Sequence, residues 1–148
     1  MASYAENRKA RFDYEILEKY EAGIELLGSE VKSVRGGQMS LEGSFVIVRG
    51  GEAFLINASI PPYQVKNAPK DYDPLRNRKL LLTKKEIAEL AGSEKNRSLT
   101  IVPISVYNKG RKIKVNIALV KGKKKFDKRE SIKKRETERE VRREYKER

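Results

Sequence analysis

Residues 44–60 read SFVIVRGGEAFLINASI, two β-rich runs separated by Gly50-Gly51. A Gly-Gly pair supplies the positive φ angles of a tight hairpin turn, so the stretch predicts antiparallel strands over 44–49 and 53–58. A hairpin cannot bury both its faces alone, and the flanking sequence offers partners for it.

Downstream, Thr100, Val102, Ile104 and Val106 alternate with their neighbours. The chain turns through Asn108-Lys109-Gly110, and Ile113, Val115, Ile117 and Leu119 alternate again. That is a second hairpin, in which Pro103 marks an edge or a bulge because it has no N–H to give a ladder. Upstream, from Phe12, the apolar residues Tyr14, Ile16, Tyr20, Ile24 and Leu26 alternate with Asp13, Glu15, Lys19, Glu21 and Glu25. This is the period-two pattern of a half-buried strand, with Gly23 placed to bulge or break it.

Two short helices interrupt the strands. Ser29 is a candidate N-cap, Leu27, Val31 and Val34 follow at helical spacing, and Gly36-Gly37 stop the segment. Thr83 and Glu86 form a capping box ahead of Ile87, Leu90 and Ala91, with Gly92 as the expected end. Between hairpin and second helix, residues 61–79 carry prolines 61, 62, 69 and 74 and little periodicity, which predicts a long basic loop. The fold class is therefore mainly β: an antiparallel β-barrel of the OB type with short α-helices over residues 1–120.

Residues 121–148 differ in kind. They hold 14 basic and 7 acidic side chains, about half of the chain's net charge of +13, and few large apolar residues. Such a tail cannot build a core and is expected to be disordered when free. On a helical wheel Arg135, Arg139, Arg142 and Lys146 share one stripe, and Glu136, Glu140, Glu144 and Glu147 share another about 100° away. Without a broad apolar face this helix suits neither a membrane nor the barrel, but its cationic stripe suits a polyphosphate surface. The tail is expected to be disordered alone and helical on RNA.

Composition narrows the chemistry further. Without Cys there is no disulfide, thiolate zinc site or cysteine nucleophile, and without His the commonest general base and metal ligand are missing. No apolar run approaches the ~18 residues of a spanning helix, and the N-terminus lacks a signal-peptide core, which points to a cytoplasmic protein without membrane partners. An excess of Lys and Arg points to a polyanionic partner. A nuclease built on Glu21, Glu25, Glu30, Asp71 and Asp73 is the enzyme alternative, but carboxylates alternating with apolar residues form an ordinary solvated strand face. A constitutive ribosomal protein is the other. The chain is read as a non-enzyme needing no metal or cofactor.

Six ordered pieces, NRKA at 7–10, YEAGI at 20–24, GSEVKSVR at 28–35, GEAFL at 51–55, DPLRNRKLLL at 73–82 and KGKKKFDKRESIK at 121–133, together resemble the SmpB family of tmRNA-binding proteins of bacteria. The resemblance implies an OB-fold barrel that binds the tRNA-like domain of transfer-messenger RNA and works with elongation factor Tu carrying alanyl-tmRNA. It also implies entry into stalled ribosomes for trans-translation, where the tail meets small-subunit RNA and fills the empty mRNA channel past the decoding centre. Incomplete proteins are then tagged and the ribosome is rescued.

On this resemblance Asn7, Glu21, Leu81 and Lys114 are the tmRNA-binding candidates, although Leu81 could equally be core. Charge and position add Lys9, Arg11, Lys32, Arg35, Arg76, Arg78 and Lys79 as phosphate contacts. In the tail the resemblance assigns the decoding-centre role to Lys121, Lys123, Lys124, Phe126, Asp127, Lys128 and Arg129, continued by the Arg135, Arg139, Arg142 and Lys146 stripe. Phe126 has no core to join and can stack on a base. Relatives carry His near the positions of Phe12 and Phe126, so here stacking survives at those positions and proton-dependent roles do not. Ser59 and Asn108 also depart from the family pattern.

Overall fold

The computed structural model describes residues 3–64 and 70–122, with the backbone alone at Arg11. Its elements run β1 (Ser3–Glu6), α1 (Arg8–Asp13), β2 (Tyr14–Ile24), α2 (Gly28–Arg35), β3 (Phe45–Arg49), β4 (Glu52–Ile56), β5 (Arg78–Leu81), α3 (Lys84–Glu94), β6 (Leu99–Lys109) and β7 (Lys112–Gly122). The pairing β6-β3-β4-β5-β2-β7 returns to β6, which closes a six-stranded antiparallel barrel, and β1 adds to β6 beyond β3. Closure removes the open edges that a sheet of this size would otherwise expose. The OB-like barrel with short helices expected from the sequence is the observed architecture.

The hairpin that set this expectation forms as read. Arg49 faces Glu52 across Gly50 and Gly51, whose φ values of 59° and 74° are the two positive angles of a type I′ turn. Its strands place Val46, Val48, Ala53 and Leu55 in the core. In the second hairpin Lys109 pairs with Lys112 around Gly110-Arg111, one residue later than anticipated. The register shifts between Pro103 and Ser105, the bulge that the proline implied.

Strand β6 is buried on both faces. Ile101 and Val106 point into the barrel, whereas Val102 and Ile104 join Ala10, Ala118 and Val120 in a second cluster outside it, under α1. Neither α1 nor β1 was anticipated: Phe12 belongs to α1, and β2 starts only at Tyr14. The helix is capped by Asn7, whose Oδ1 accepts from the Ala10 N–H at 3.2 Å while Nδ2 donates to the Pro103 carbonyl at 3.0 Å. The contact to Pro103 spans 96 residues of sequence, which local pattern cannot reveal.

Other boundaries moved for identifiable reasons. Gly23 neither bulges nor breaks β2; it stays paired with both Leu81 and Lys114, and the register shift lies at Ile16/Glu18. The N-cap of α2 is Leu27, not Ser29, because the Glu30 carboxylate reaches back to accept from the Leu27 N–H at 2.8 Å. Helix α3 keeps its Thr83–Glu86 capping box but runs through Gly92 to Glu94. Glu94 accepts from the Val48 N–H at 2.9 Å and pairs with Arg49, tying the last turn to β3. The long loop ends at residue 77, since Arg78 and Lys79 enter β5 between β4 and β2. Strand β7 reaches Gly122, two residues past the expected domain boundary.

Candidate nucleic-acid interface

The junction of three strands and a helix makes one of the surface hollows among the described residues. At Gly23 strand β2 passes from its long pairing with β7 to a short one with β5, so Leu81 and Lys114 flank the glycine from either side. A Cβ at residue 23 would lie 3.2 Å from the Leu81 Cβ. With α2 and the β6–β7 turn these strands enclose a groove of about 310 Å³. Its apolar lining is Ile24, Leu26, Val31, Leu81 and Ile113, and four cations, Arg35, Arg111, Lys112 and Lys114, complete it. Arg35 Nη2 donates to the Arg111 carbonyl at 3.1 Å, joining helix and turn. An apolar floor with a cationic rim can take the faces of bases or sugars below and phosphates above.

Leu81 is not core. Its neighbour Leu80 is the buried residue of β5, and Leu81 is 49% exposed in the groove. Glu21 stands two residues before Gly23, on the same outward face of β2. Its carboxylate accepts from the Tyr107 hydroxyl and from Lys109 Nζ at 2.9 Å. Those hydrogen bonds, Tyr107 first, hold the Glu21 carboxyl below the usual carboxylate range. Partial burial and the Glu21 hydrogen bond push the Tyr107 phenol up to about 12.

One arginine of the DPLRNRKLLL stretch, Arg78, plays a different part from the one anticipated. Arg78 is fully buried, so its guanidinium serves the interior and not the surface. Its Nε donates to Glu30 at 2.8 Å, Nη1 to the Ala58 carbonyl at 2.8 Å, and Nη2 to the Pro74 carbonyl at 3.0 Å. Arg76, partly exposed, donates its Nε to the same carboxylate at 3.0 Å and pairs with it again through Nη2. Burial alone would raise the Glu30 pKa, but hydrogen bonds from Arg76, the Leu27 N–H and Arg78 outweigh it and hold the carboxyl at about 2. Tyr72 closes the cluster, its one hydroxyl proton shared between Glu30 at 3.0 Å and the Ile60 carbonyl at 2.8 Å.

The remaining candidates separate. Lys32 lies one turn before Arg35 on α2, and Lys79 is ion-paired with Glu52 at 3.1 Å. Asn7 and Lys9 line another hollow, with Asp13, Tyr14, Phe45 and Thr100, that shares no residue with the groove. Arg11 follows on the same helix. Lys121 is exposed at the end of β7, opposite Glu15 and Leu99. Lys123, Lys124, Phe126, Asp127, Lys128, Arg129, Arg135, Arg139, Arg142 and Lys146 lie outside the described residues. Arg111 and Lys112 were missed by the sequence reading, although a basic turn KGRK at 109–112 was a signal for them. The carboxylates do not gather: no group of three or more metal-ligating side chains forms among the described residues. Among those residues, no helix is long and apolar enough to cross a membrane.

Known proteins match along nearly the whole chain. A family model described as SmpB protein covers residues 4–147. The SsrA-binding protein of Sulfurihydrogenibium sp. is 55% identical over 143 residues, 96% of this chain and 93% of that protein. That of Thermosynechococcus vestitus is 49% identical over 144 residues, 97% of this chain and 95% of its own length. A solved chain described under "tmRNA-SmpB: a journey to the center of the bacterial ribosome" superposes with a TM-score of 0.68 at 46% identity, covering 86% of this chain and 92% of that one.

Proposed function

The chain belongs to the SmpB protein family, and from that premise we propose that it is a tmRNA-binding protein of trans-translation whose barrel holds the tRNA-like domain of transfer-messenger RNA. The observation that carries this reading is the groove at Gly23, where Leu81, Arg35 and Lys114 meet beside Arg111 and Lys112. These are residues from three segments distant in sequence, at 35, 81 and 111–114, brought to one cationic surface. Phosphates dominate the affinity of such a surface, and the apolar floor and the Glu21 carboxylate add contacts that do not depend on charge alone. Lys32 and Lys79 extend the cationic rim. Asn7, Lys9 and Arg11 would touch the RNA from the α1 side.

Beyond binding, the chain delivers tmRNA to stalled ribosomes with elongation factor Tu. Its tail enters the vacated mRNA channel, where Lys123 to Arg129 approach the decoding centre, Phe126 stacks on a base, and the Arg135–Lys146 stripe follows the small-subunit RNA as a helix. A channel without mRNA is still walled by ribosomal phosphates, and a net charge of +7 over residues 121–148 matches them. No step in this role needs catalysis by the protein.

The test compares the full chain with one ending at Gly122, since ending earlier would strip the Tyr14–Gly122 and Glu15–Lys121 pairs from β7. Both are titrated against the tRNA-like domain, with an ordinary tRNA as competitor, across a salt series. The shortened chain is expected to keep its preference for the tRNA-like domain and to lose tagging on stalled ribosomes. Loss of the preference on shortening would move recognition to the tail and overturn the assignment to the groove.

A further inference from the structure

Tyr63 is an exposed aromatic with a cation already seated on it. Lys32 Nζ stands 5.7 Å from the ring centroid, while the residue remains 47% exposed. An ammonium over one face of a phenol ring is a recognised attractive arrangement, yet a surface tyrosine gains little burial from it. The ring is therefore held in place without being put away.

The holding is extensive. Pro61 and Pro62 fix φ at the two preceding residues. Ser33, on the same helix as Lys32, donates its hydroxyl to the Pro61 carbonyl at 2.7 Å. The segment before is clamped by the Glu30 cluster: Tyr72 donates to the Ile60 carbonyl, Arg78 to the Ala58 carbonyl, and the Ile60 N–H donates to the Pro74 carbonyl at 3.0 Å. Helix α2 thus supplies the cation through Lys32, the backbone anchor through Ser33 and the buried hub through Glu30. One turn further on the same helix, Arg35 lines the groove.

We propose that Tyr63, backed by Lys32, is a stacking platform for an unpaired nucleobase of RNA that lies in the neighbouring groove. This rests on the RNA-binding role proposed above and extends its surface from Arg35 along α2. A preorganised ring loses little rotamer freedom on stacking, every base offers a π face, and Lys32 supplies a charge for the adjoining phosphate. The recognised feature is a splayed-out base next to a structured stem, a property of folded RNA and not of continuous duplex.

The chain contains no tryptophan, so Tyr63→Trp introduces a single tryptophan, excited apart from the remaining tyrosines, at the platform. The probe is the tRNA-like domain of tmRNA, with its binding followed independently by anisotropy of a dye on the RNA. Stacking is expected to quench the tryptophan emission with the same midpoint as the anisotropy curve. Tyr63→Ala is expected to weaken binding about 5- to 150-fold without changing the salt slope, and Tyr63→Phe to keep most of the affinity. Lys32→Gln is expected to lower the slope by about 1. Anisotropy that reports binding while the emission stays constant, together with an undiminished affinity of Tyr63→Ala, overturns the platform alone. Absence of any binding by the unmodified chain overturns the RNA-binding reading and the platform with it.

Discussion

Glu30 and Arg78 form an ion pair in the barrel wall, 2.6 Å from Oε2 to Nη2, with 1% and 0% of their side chains left in water. One partner sits in α2 and the other in β5, so the pair fastens the helix that carries Lys32 and Arg35 to the strand that carries Leu81. Arg76 and Tyr72 share the carboxylate and bring the 70–77 loop into the same cluster. Removing the carboxylate leaves an uncompensated cation in the interior. Glu30→Ala is accordingly expected to cost about 3–5 kcal/mol, read as a reduced urea midpoint with unchanged m-value. A loss under about 1 kcal/mol would mean that water or another acceptor replaces Glu30 without penalty.

The same carboxylate sets the acid limb of stability. Its folded pKa of about 2 lies below the ordinary value of 4.5. Stability from this group is thus complete above pH 4.5 and lost as the pH falls toward 2. The displacement corresponds to roughly 3 kcal/mol. Urea unfolding of the unmodified chain from pH 5 to pH 2 is expected to show that loss, and Glu30→Gln to flatten it. Tyr107 gives the opposite limb: its pKa raised to about 12 contributes stability present below pH 10 and lost as the pH climbs through 12. Ultraviolet titration should show one high tyrosine ionisation fewer in Tyr107→Phe.

Features carried by neighbours in sequence were readable, and features carried by distant partners were not. Gly50-Gly51 and the Thr83–Glu86 box act within four residues, and both formed as expected. Arg78 looked like a surface cation because nothing near it in sequence shows that Glu30, 48 residues earlier, would draw it inside. Strand β1 and helix α1 escaped notice for the same reason, since Asn7 needs the Pro103 carbonyl from the far end of the chain. Of the groove's lining, Arg35 was a candidate by charge, and Leu81 and Lys114 by the family resemblance. The junction at Gly23 that joins them is a matter of register, and the part of Arg111 follows from where the second hairpin turns.

Asn7 carries two structural hydrogen bonds that share no atom. Asn7→Ala removes the cap of α1 and the donor to Pro103, and is expected to cost about 1–2 kcal/mol. Asn7→Asp retains the acceptor for the Ala10 N–H but sets a carboxylate oxygen against the Pro103 carbonyl, so a loss at least as large is expected. RNA affinity measured on both variants separates the two duties of this residue. Binding that falls in Asn7→Ala but tracks its stability loss assigns Asn7 to holding α1, whereas binding that falls equally in a fully folded Asn7→Asp assigns it to direct RNA contact.

Gly23 offers the sharpest separation of binding from folding. Its φ is not in the left-handed region, and the residue is a glycine because Leu81 crosses directly over it. In Gly23→Ala the new methyl meets the Leu81 Cβ at 3.2 Å, with Cδ1 and Cγ at 3.4 and 3.6 Å. The Leu81 Cβ cannot rotate away, so β5 must give by a few tenths of an ångström, at a cost of about 1–3 kcal/mol. The displaced side chain stands half-exposed in the groove, where RNA is proposed to pack. A modest drop in urea midpoint is expected beside at least a tenfold loss of affinity for the tRNA-like domain, at constant salt slope because no phosphate contact is removed. Leu81→Ala provides the reciprocal case: it strains nothing beside the native Gly23 and deletes the groove's apolar contact, so it should leave stability near the unmodified value and weaken binding as strongly. If both variants bind RNA normally, the RNA does not rest on the Gly23–Leu81 crossing and the groove assignment fails.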